Sequence, residues 1–284
     1  MILGRLALAA AGAWAAYAWG AHLFTPGCIW RGPAARRLIA LTFDDGPDAA
    51  WTERILDILA EKRVRASFFL VGERAARVPE TVRRIAASGH EVASHGWSHR
   101  SLWLCAPRRT EDEIARAHQL IASLTGRAPR HFRPPWGMVN AAMFGALRRH
   151  HERCVFWSVQ PEGLRSVPAA QQVRDVLRRA HPGAIVDLHD AEGTRGAPVR
   201  LVAALPPMID GLREMGYGLV TVSELLDGGE TNERPVSEAD ASAPGDPVGR
   251  VAATPTSGGA PGTARTRRPR RGGGGTARRP APSP

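Results

Sequence analysis

The chain has 284 residues, 43% of them apolar, which is long enough and apolar enough for a sizeable core. Its formal charge is +11, but seven arginines and no acid follow Val251, so the basic excess belongs mainly to a tail and no specific nucleic-acid partner is expected. The three cysteines, Cys28, Cys105 and Cys154, are odd in number and lack CxxC spacing, which argues against a disulfide framework and leaves one 105–154 bridge open for a domain outside the cytoplasm.

Residues 1–24 come first. After Arg5 the run LALAAAGAWAAYAWGAHLF holds no charge and one ionisable His, and at about 19 residues it is long enough to cross a hydrocarbon core as a helix. A basic start, an Ala-rich apolar stretch and the small-x-small triplet Ala16-Tyr17-Ala18 also fit a signal peptide. The expectation is an N-terminal hydrophobic helix that anchors the chain in the cell membrane, with the rest outside the cytoplasm; a secreted, cleaved form is the alternative. Trp19 and Phe24 suit the interface end of such an anchor.

A linker, residues 25–35, leads into a domain expected over 36–227. RLIALTF (37–43) reads as a strand and WTERILDILAEKR (51–63) as an amphipathic helix. RASFFLV (65–71) is a second strand, 78–89 a helix closed by Gly89, and HEVASH a short third strand. A long helix is expected over 109–126, a strand at RHFRPP, a helix over 140–150 and a strand over RCVFWSV (153–159). Then come a helix over 168–180, the strand GAIVDLH (183–189), a helix over 199–216 bent at Pro206-Pro207, and the strand YGLVTV (217–222). Strands alternating with helices argue for a parallel α/β sheet, either open and doubly wound or closed as a barrel. From 228 to 284 the chain becomes Pro, Gly, Ala, Ser and Arg, a composition expected to be disordered. Its charge suits an anionic envelope polymer or lipid headgroups, or simply solvent.

In a parallel α/β fold, sites form at the carboxyl ends of strands. Four such ends carry reactive side chains: Asp44-Asp45 in LTFDDGP, His95 and His99 in SHGWSH, Arg133 to Gly137 in RPPWG, and Asp187, His189 and Asp190 in VDLHD. A His-x-x-x-His pair with a carboxylate supplies the three protein ligands of an open metal site. A second Asp beside it can take a proton from an attacking water, Arg133 can offset the paired carboxylates, and His189 can protonate a leaving group.

LTFDDGP (41–47), SHGWSH (94–99), RPPWG (133–137), FWSV (156–159) and IVDLHD (185–190), in this order, resemble the polysaccharide deacetylases with a NodB homology domain, carbohydrate esterase family 4. The resemblance covers about residues 36–226. It implies a distorted (β/α)7 barrel, a divalent metal cofactor (Zn2+ expected, with Co2+ or another divalent ion as alternatives) and hydrolysis of acetyl groups from an acetylated glycan. By position, Asp44 looks like the catalytic base and Asp45, His95 and His99 like the metal ligands. Arg133 looks like the residue that holds Asp44, the backbone N–H of Trp136 like an oxyanion donor, and His189 like the general acid.

Two places depart from the family pattern. The stretch FWSVQPEGL lacks the Asp that orients the catalytic His, and Asp187 stands where the family has Leu. Residues two apart on a strand face the same side, so Asp187 is expected to hold the His189 imidazole; a salt bridge elsewhere in the barrel is the alternative. Trp97 and Trp103 are candidates to stack on a sugar. His90, His118, His131, His150 and His151 read as surface residues, and Cys105 and Cys154 as buried small hydrophobes. The function expected is removal of N-acetyl groups from an amino-sugar polysaccharide of the cell envelope. O-deacetylation of a glycan such as xylan, or glycan binding without catalysis, are the alternatives.

Overall fold

The computed structural model describes residues 12–14, 27–163, 165–192 and 196–228. The expected anchor, apart from residues 12–14, and the basic tail lie outside them. Among the described residues no helix is long and apolar enough to cross a membrane.

Strand β1 (Leu38–Asp44) is the centre of the sheet. Its sequence LIALTFD is buried from Ile39 onward because both of its faces are covered. Alternate residues serve different layers. Ile39, Leu41 and Phe43 pack outward under the helices, whereas Ala40 belongs to the inner cluster with Phe69 and Ile185. Strand β2 (Ser67–Leu70) pairs with the second half of β1, in the register Thr42 to Ser67 and Asp44 to Phe69. β3 (Glu91–Ser94), β4 (His131–Phe132) and β5 (Arg153–Cys154) follow outward in parallel. On the other edge of β1, β6 (Ala184–His189) runs in full register, placing Asp187 beside Thr42 and His189 beside Asp44. β7 (Gly218–Val220) pairs with the first three residues of β1.

The helices earn their places through one apolar stripe each. In α1 (Trp51–Glu61) the buried residues are Thr52, Ile55, Leu56 and Leu59, one face of a 3.6-residue period. The rest of the helical layer is α2 (Gly72–Arg77), α3 (Pro79–Ala87, with Pro at its start), α4 (Pro107–Thr125), α5 (Ala141–Arg149), α6 (Ala169–Arg179), α7 (Ala197–Glu214) and α8 (Val222–Leu226). Gly126, in the left-handed region at φ 70°, ends α4. α2 and α8 are additional to the expected elements. α7 is one helix through Pro206 and Pro207; the buried contacts come from Leu205, Met208 and Ile209, while Pro207 is exposed, so the missing backbone donors fall away from the core.

The sheet is a curled parallel half-barrel, and the fifth strand explains the opening. A strand is expected through Val159, but the ladder stops at Cys154. Beyond it the chain swings from β4 toward β6, making only the isolated bridges Ile29 to Val155 and Val159 to Val186. Residues 29–32 fill the gap: Phe156 N–H donates to the Ile29 carbonyl at 2.7 Å and Gly32 N–H to the Gly183 carbonyl at 2.8 Å, while Ile29 packs into the inner cluster. Two of the histidines read as surface residues are buried. His131 sits under the sheet with Nδ1 2.6 Å from Glu91, and the His90 Nδ1 accepts from the Ala66 N–H at 3.2 Å.

Candidate active site

At the carboxyl ends of the strands lies a cavity of about 650 Å3. Asp44, Asp45, His95, His99, Trp136, Asp187 and His189 all line it, together with Trp157, Gln160 and Gly163. Arg133 lies directly behind, completely buried.

The turn after β1 sets the two carboxylates apart. Asp45 adopts φ 74°, a left-handed conformation that costs a non-glycine residue roughly 1 kcal/mol. Gly46 follows because there is no room for a larger residue: a Cβ there would stand 2.2 Å from Asp190 Oδ2. Asp190 instead accepts the Gly46 N–H at 3.0 Å and the Thr52 hydroxyl at 2.6 Å, tying the turn to β6 and α1. Burial pushes the Asp190 carboxyl up to about 7.

Asp45, His95 and His99 bring one ligand atom each to within 4.8 Å of one another. Asp45 Oδ1 is 2.8 Å from His99 Nε2 and 3.6 Å from His95 Nε2. His95 Nδ1 is 2.7 Å from the Arg133 carbonyl oxygen, so a proton on Nδ1 fixes the tautomer that leaves Nε2 as a lone-pair donor toward Asp45. Burial, with the neighbouring His99, lowers His95 to about 3 and keeps it neutral. For Asp45, burial raises the carboxyl, but the hydrogen bond from His99 and the neighbouring imidazoles outweigh that and hold it below the usual range. Two imidazoles and a carboxylate, with ligand atoms within 4.8 Å of one another, form the donor set that a divalent cation prefers, so the residues fit the metal that the motif implies.

Asp44 is the different carboxylate. Burial pushes it well above the usual range, with Arg133 opposing. Arg133 Nη1 donates to Asp44 Oδ1 at 2.6 Å and to Thr42 Oγ1 at 2.8 Å, and it reaches Asp187 Oδ1 at 3.3 Å. Nε and Nη2 donate to the Val155 and Phe156 carbonyls, and the guanidinium lies 4.1 Å over the Phe69 ring. A fully buried charge is tolerable only with partners of this kind on each donor.

Trp136 sits in the turn Pro135–Gly137 at φ 63°. The N–H groups of Gly137 and Met138 bond to the Pro134 and Pro135 carbonyls, whereas that of Trp136 meets no backbone carbonyl among the described residues. Its ring is half exposed beside His99, centroids 5.2 Å apart. Asp45, His99 and Trp136 are thus three site residues held in left-handed backbone. His189, beside Asp44 in the β1–β6 register, lines the same cavity.

One expectation needs correction. Asp187 faces the same side as His189, but its carboxylate does not hold the imidazole. Oδ1 goes to Arg133 and Oδ2 accepts from Gln160 Nε2 at 2.8 Å. The reason is register: Asp187 is level with Thr42, two residues deeper along β6 than His189, where Arg133 lies. Trp97 and Trp103 do not line the cavity; the Trp97 ring packs under Arg116 at 3.9 Å and against Gly72.

Several supporting residues escaped sequence reasoning. Glu113 accepts from the Ser98 N–H and hydroxyl, both at 2.8 Å, and so holds the loop that presents His99. Its signal was available, because Thr110, Glu113, Ile114, Ala117 and Ile121 form the buried stripe of α4 and a lone carboxylate on such a stripe needs a partner. Arg74 donates to the Asp45 carbonyl at 2.7 Å, from a helix that gave no clear pattern. Trp157 lines the cavity from the irregular stretch after β5.

The sequence profile of the family described as polysaccharide deacetylase matches residues 31–155. A peptidoglycan-N-acetylglucosamine deacetylase of Bacillus cereus is 34% identical over 199 residues, covering 69% of this chain and 92% of the relative. A chitooligosaccharide deacetylase of a Bradyrhizobium strain is 40% identical over 155 residues, 54% of this chain and 71% of that one. Among solved structures, a peptidoglycan N-acetylglucosamine deacetylase bound to a hydroxamate-type benzamide superposes with TM-score 0.68 at 31% identity, covering 73% of this chain and 96% of that chain.

Proposed function

From a chain that belongs to the polysaccharide deacetylase family and is a hydrolytic deacetylase, we propose a metal-dependent enzyme that removes N-acetyl groups from an amino-sugar polysaccharide of the cell envelope. One observation carries this reading. Asp45, His95 and His99 cluster beside Asp44, with His189 across the β1–β6 register, so ligand, base and acid groups face one cavity. The N-acetylated substrate is that of the relatives, a peptidoglycan deacetylase and a chitooligosaccharide deacetylase by name.

Asp45, His95 and His99 would hold a divalent cation, Zn2+ being suited to two imidazoles and a carboxylate. Bound there, such an ion supplies Lewis-acid polarisation of the acetyl carbonyl and makes a nearby water more acidic. The protein's own groups do the rest. Asp44 takes a proton from the attacking water; its raised affinity for a proton suits a base, and Arg133 fixes its orientation. The Trp136 N–H donates to the oxygen on which negative charge develops. His189 gives a proton to the departing amine, so that acetate leaves and the sugar keeps a free amino group.

The test is acetate release by the full chain from peptidoglycan, N-acetylchitooligosaccharide and acetylxylan, each with and without chelator. Release from the first two, stopped by chelator and restored by Zn2+ or Co2+, supports the reading. Release from acetylxylan alone would move it to ester hydrolysis, and none from any of the three would leave a glycan-binding protein.

A further inference from the structure

The segment that leads into β1 is fastened to the open side of the sheet. Ile29 is paired with Val155 in parallel, and its N–H donates to the Cys154 carbonyl at 2.9 Å. One step back along each chain stand Cys28 and Cys154. Residues one step before a registered parallel pair are themselves opposite, with side chains leaving the same face, and strands about 4.8 Å apart lie inside the Cα spacing that a disulfide needs. The two thiols are near enough to act on each other's proton affinity, Cys154 lowering that of Cys28. Both pack in the cluster that contains Leu102, Phe132 and Phe156. Cys154 is buried, and Cys28 is half-buried, open enough for a small oxidant to reach. Cys105 is engaged elsewhere, its thiol donating to the Ser101 carbonyl at 3.3 Å.

We propose that Cys28 and Cys154 form an intramolecular disulfide that staples residues 27–32 across the gap between β5 and β6. The bridge considered from sequence, 105–154, is thereby replaced. The oxidant is a small-molecule or protein disulfide. The Cys28 thiolate attacks it and expels one thiol, giving a mixed disulfide. The Cys154 sulfur, losing its proton, then attacks the Cys28 sulfur and expels the second thiol. Two cysteine thiols become one S–S bond while one external disulfide becomes two thiols, so electrons and protons balance. The staple has a structural target. Val155 and Phe156, next to Cys154, supply the carbonyls that hold Arg133 behind Asp44. The inference is independent of the proposed substrate.

The test uses the full chain in mild detergent, first reduced and then incubated with oxidised glutathione in its folded state. Free thiols should fall from three to one, with peptide mapping showing Cys28 joined to Cys154. The melting temperature should rise by about 10 °C over the reduced protein and return on adding dithiothreitol. Cys105→Ser should keep the cross-link and the shift, and Cys28→Ser should lose both. Three persisting thiols, a glutathione adduct that stays on Cys28, or a cross-link that includes Cys105 would each overturn the proposal.

Discussion

Asp187 Oδ1 stands 3.3 Å from Arg133 Nη1, with both side chains withdrawn from solvent. That nitrogen is also the one that holds Asp44, at 2.6 Å. Two carboxylates therefore share one guanidinium, and the shorter contact belongs to the proposed base. Asp187→Asn removes one of the two negative charges and leaves Arg133 wholly to Asp44. The variant should fold, lose about 1–3 kcal/mol of stability as a buried charge-assisted bond is weakened, and keep acetate release within tenfold of the parent. Thermal melts and acetate assays check both. A loss as deep as that of Asp44→Asn would instead place Asp187 in the proton relay with His189.

Base and ligand roles separate in a paired measurement. Asp44→Asn keeps the shape of the side chain and its contact with Arg133 but cannot accept a proton, so acetate release should fall by about a thousandfold with zinc content unchanged. His99→Ala removes one of three donors, so both zinc content and activity should be lost. Elemental analysis of the purified variants beside the acetate assay distinguishes them. Equal zinc in both would refute the ligand role of His99.

The alternation of apolar strands and amphipathic helices made the α/β order legible, because burial on both faces leaves runs such as LIALTF with no polar side. The reactive strand ends were legible for the same reason: charge at the end of a buried run has to be explained. The hydrogen-bond partners were less so. Asp187 shares a strand face with His189, and only the depth of each residue beside β1 shows that Arg133 claims it. The end of β5 was hidden because VFWSV is as apolar as a strand, yet its backbone pairs with Ile29 and β6 in turn instead of with β4 alone. α2 was missed because six residues make less than two turns, too short for a period to register.

Glu113 gives the clearest test of support at a distance. It holds Ser98 by two hydrogen bonds and is itself paired with Arg109 at 2.8 Å, so it governs where His99 sits without lining the cavity. Glu113→Gln keeps the size but weakens the acceptor for both Ser98 donors. Zinc affinity should fall by about 10–100-fold, as for other groups that orient a ligand, while the fold is retained. Zinc competition with a chromogenic chelator reads the change, and an unaltered affinity would show that the loop is held without it.

Away from the site, Glu152 makes stability depend on pH. Its side chain is buried beside α4; Oε1 is 2.7 Å from His118 Nδ1, and Oε2 has no partner in the described structure. The rings of His118 and His150 lie 4.9 Å apart next to it, and His150 meets Glu111 at 3.2 Å. Burial pushes the Glu152 carboxyl up to about 7, with the His118 bond opposing. The folded-state value thus lies above the unfolded one, near 4.5, and the folded protein binds the extra proton between them. The contribution to stability is full below about pH 4.5 and is lost as pH rises through 7; it amounts to about 3 kcal/mol at most. Asp190, also raised to about 7, and the lowered His90 and His95 titrate in both proteins, so the difference between parent and variant isolates Glu152. Glu152→Gln, uncharged throughout, should gain melting temperature over the parent as pH rises from 5 to 8. Parallel slopes for the two proteins would mean that some other group sets the dependence.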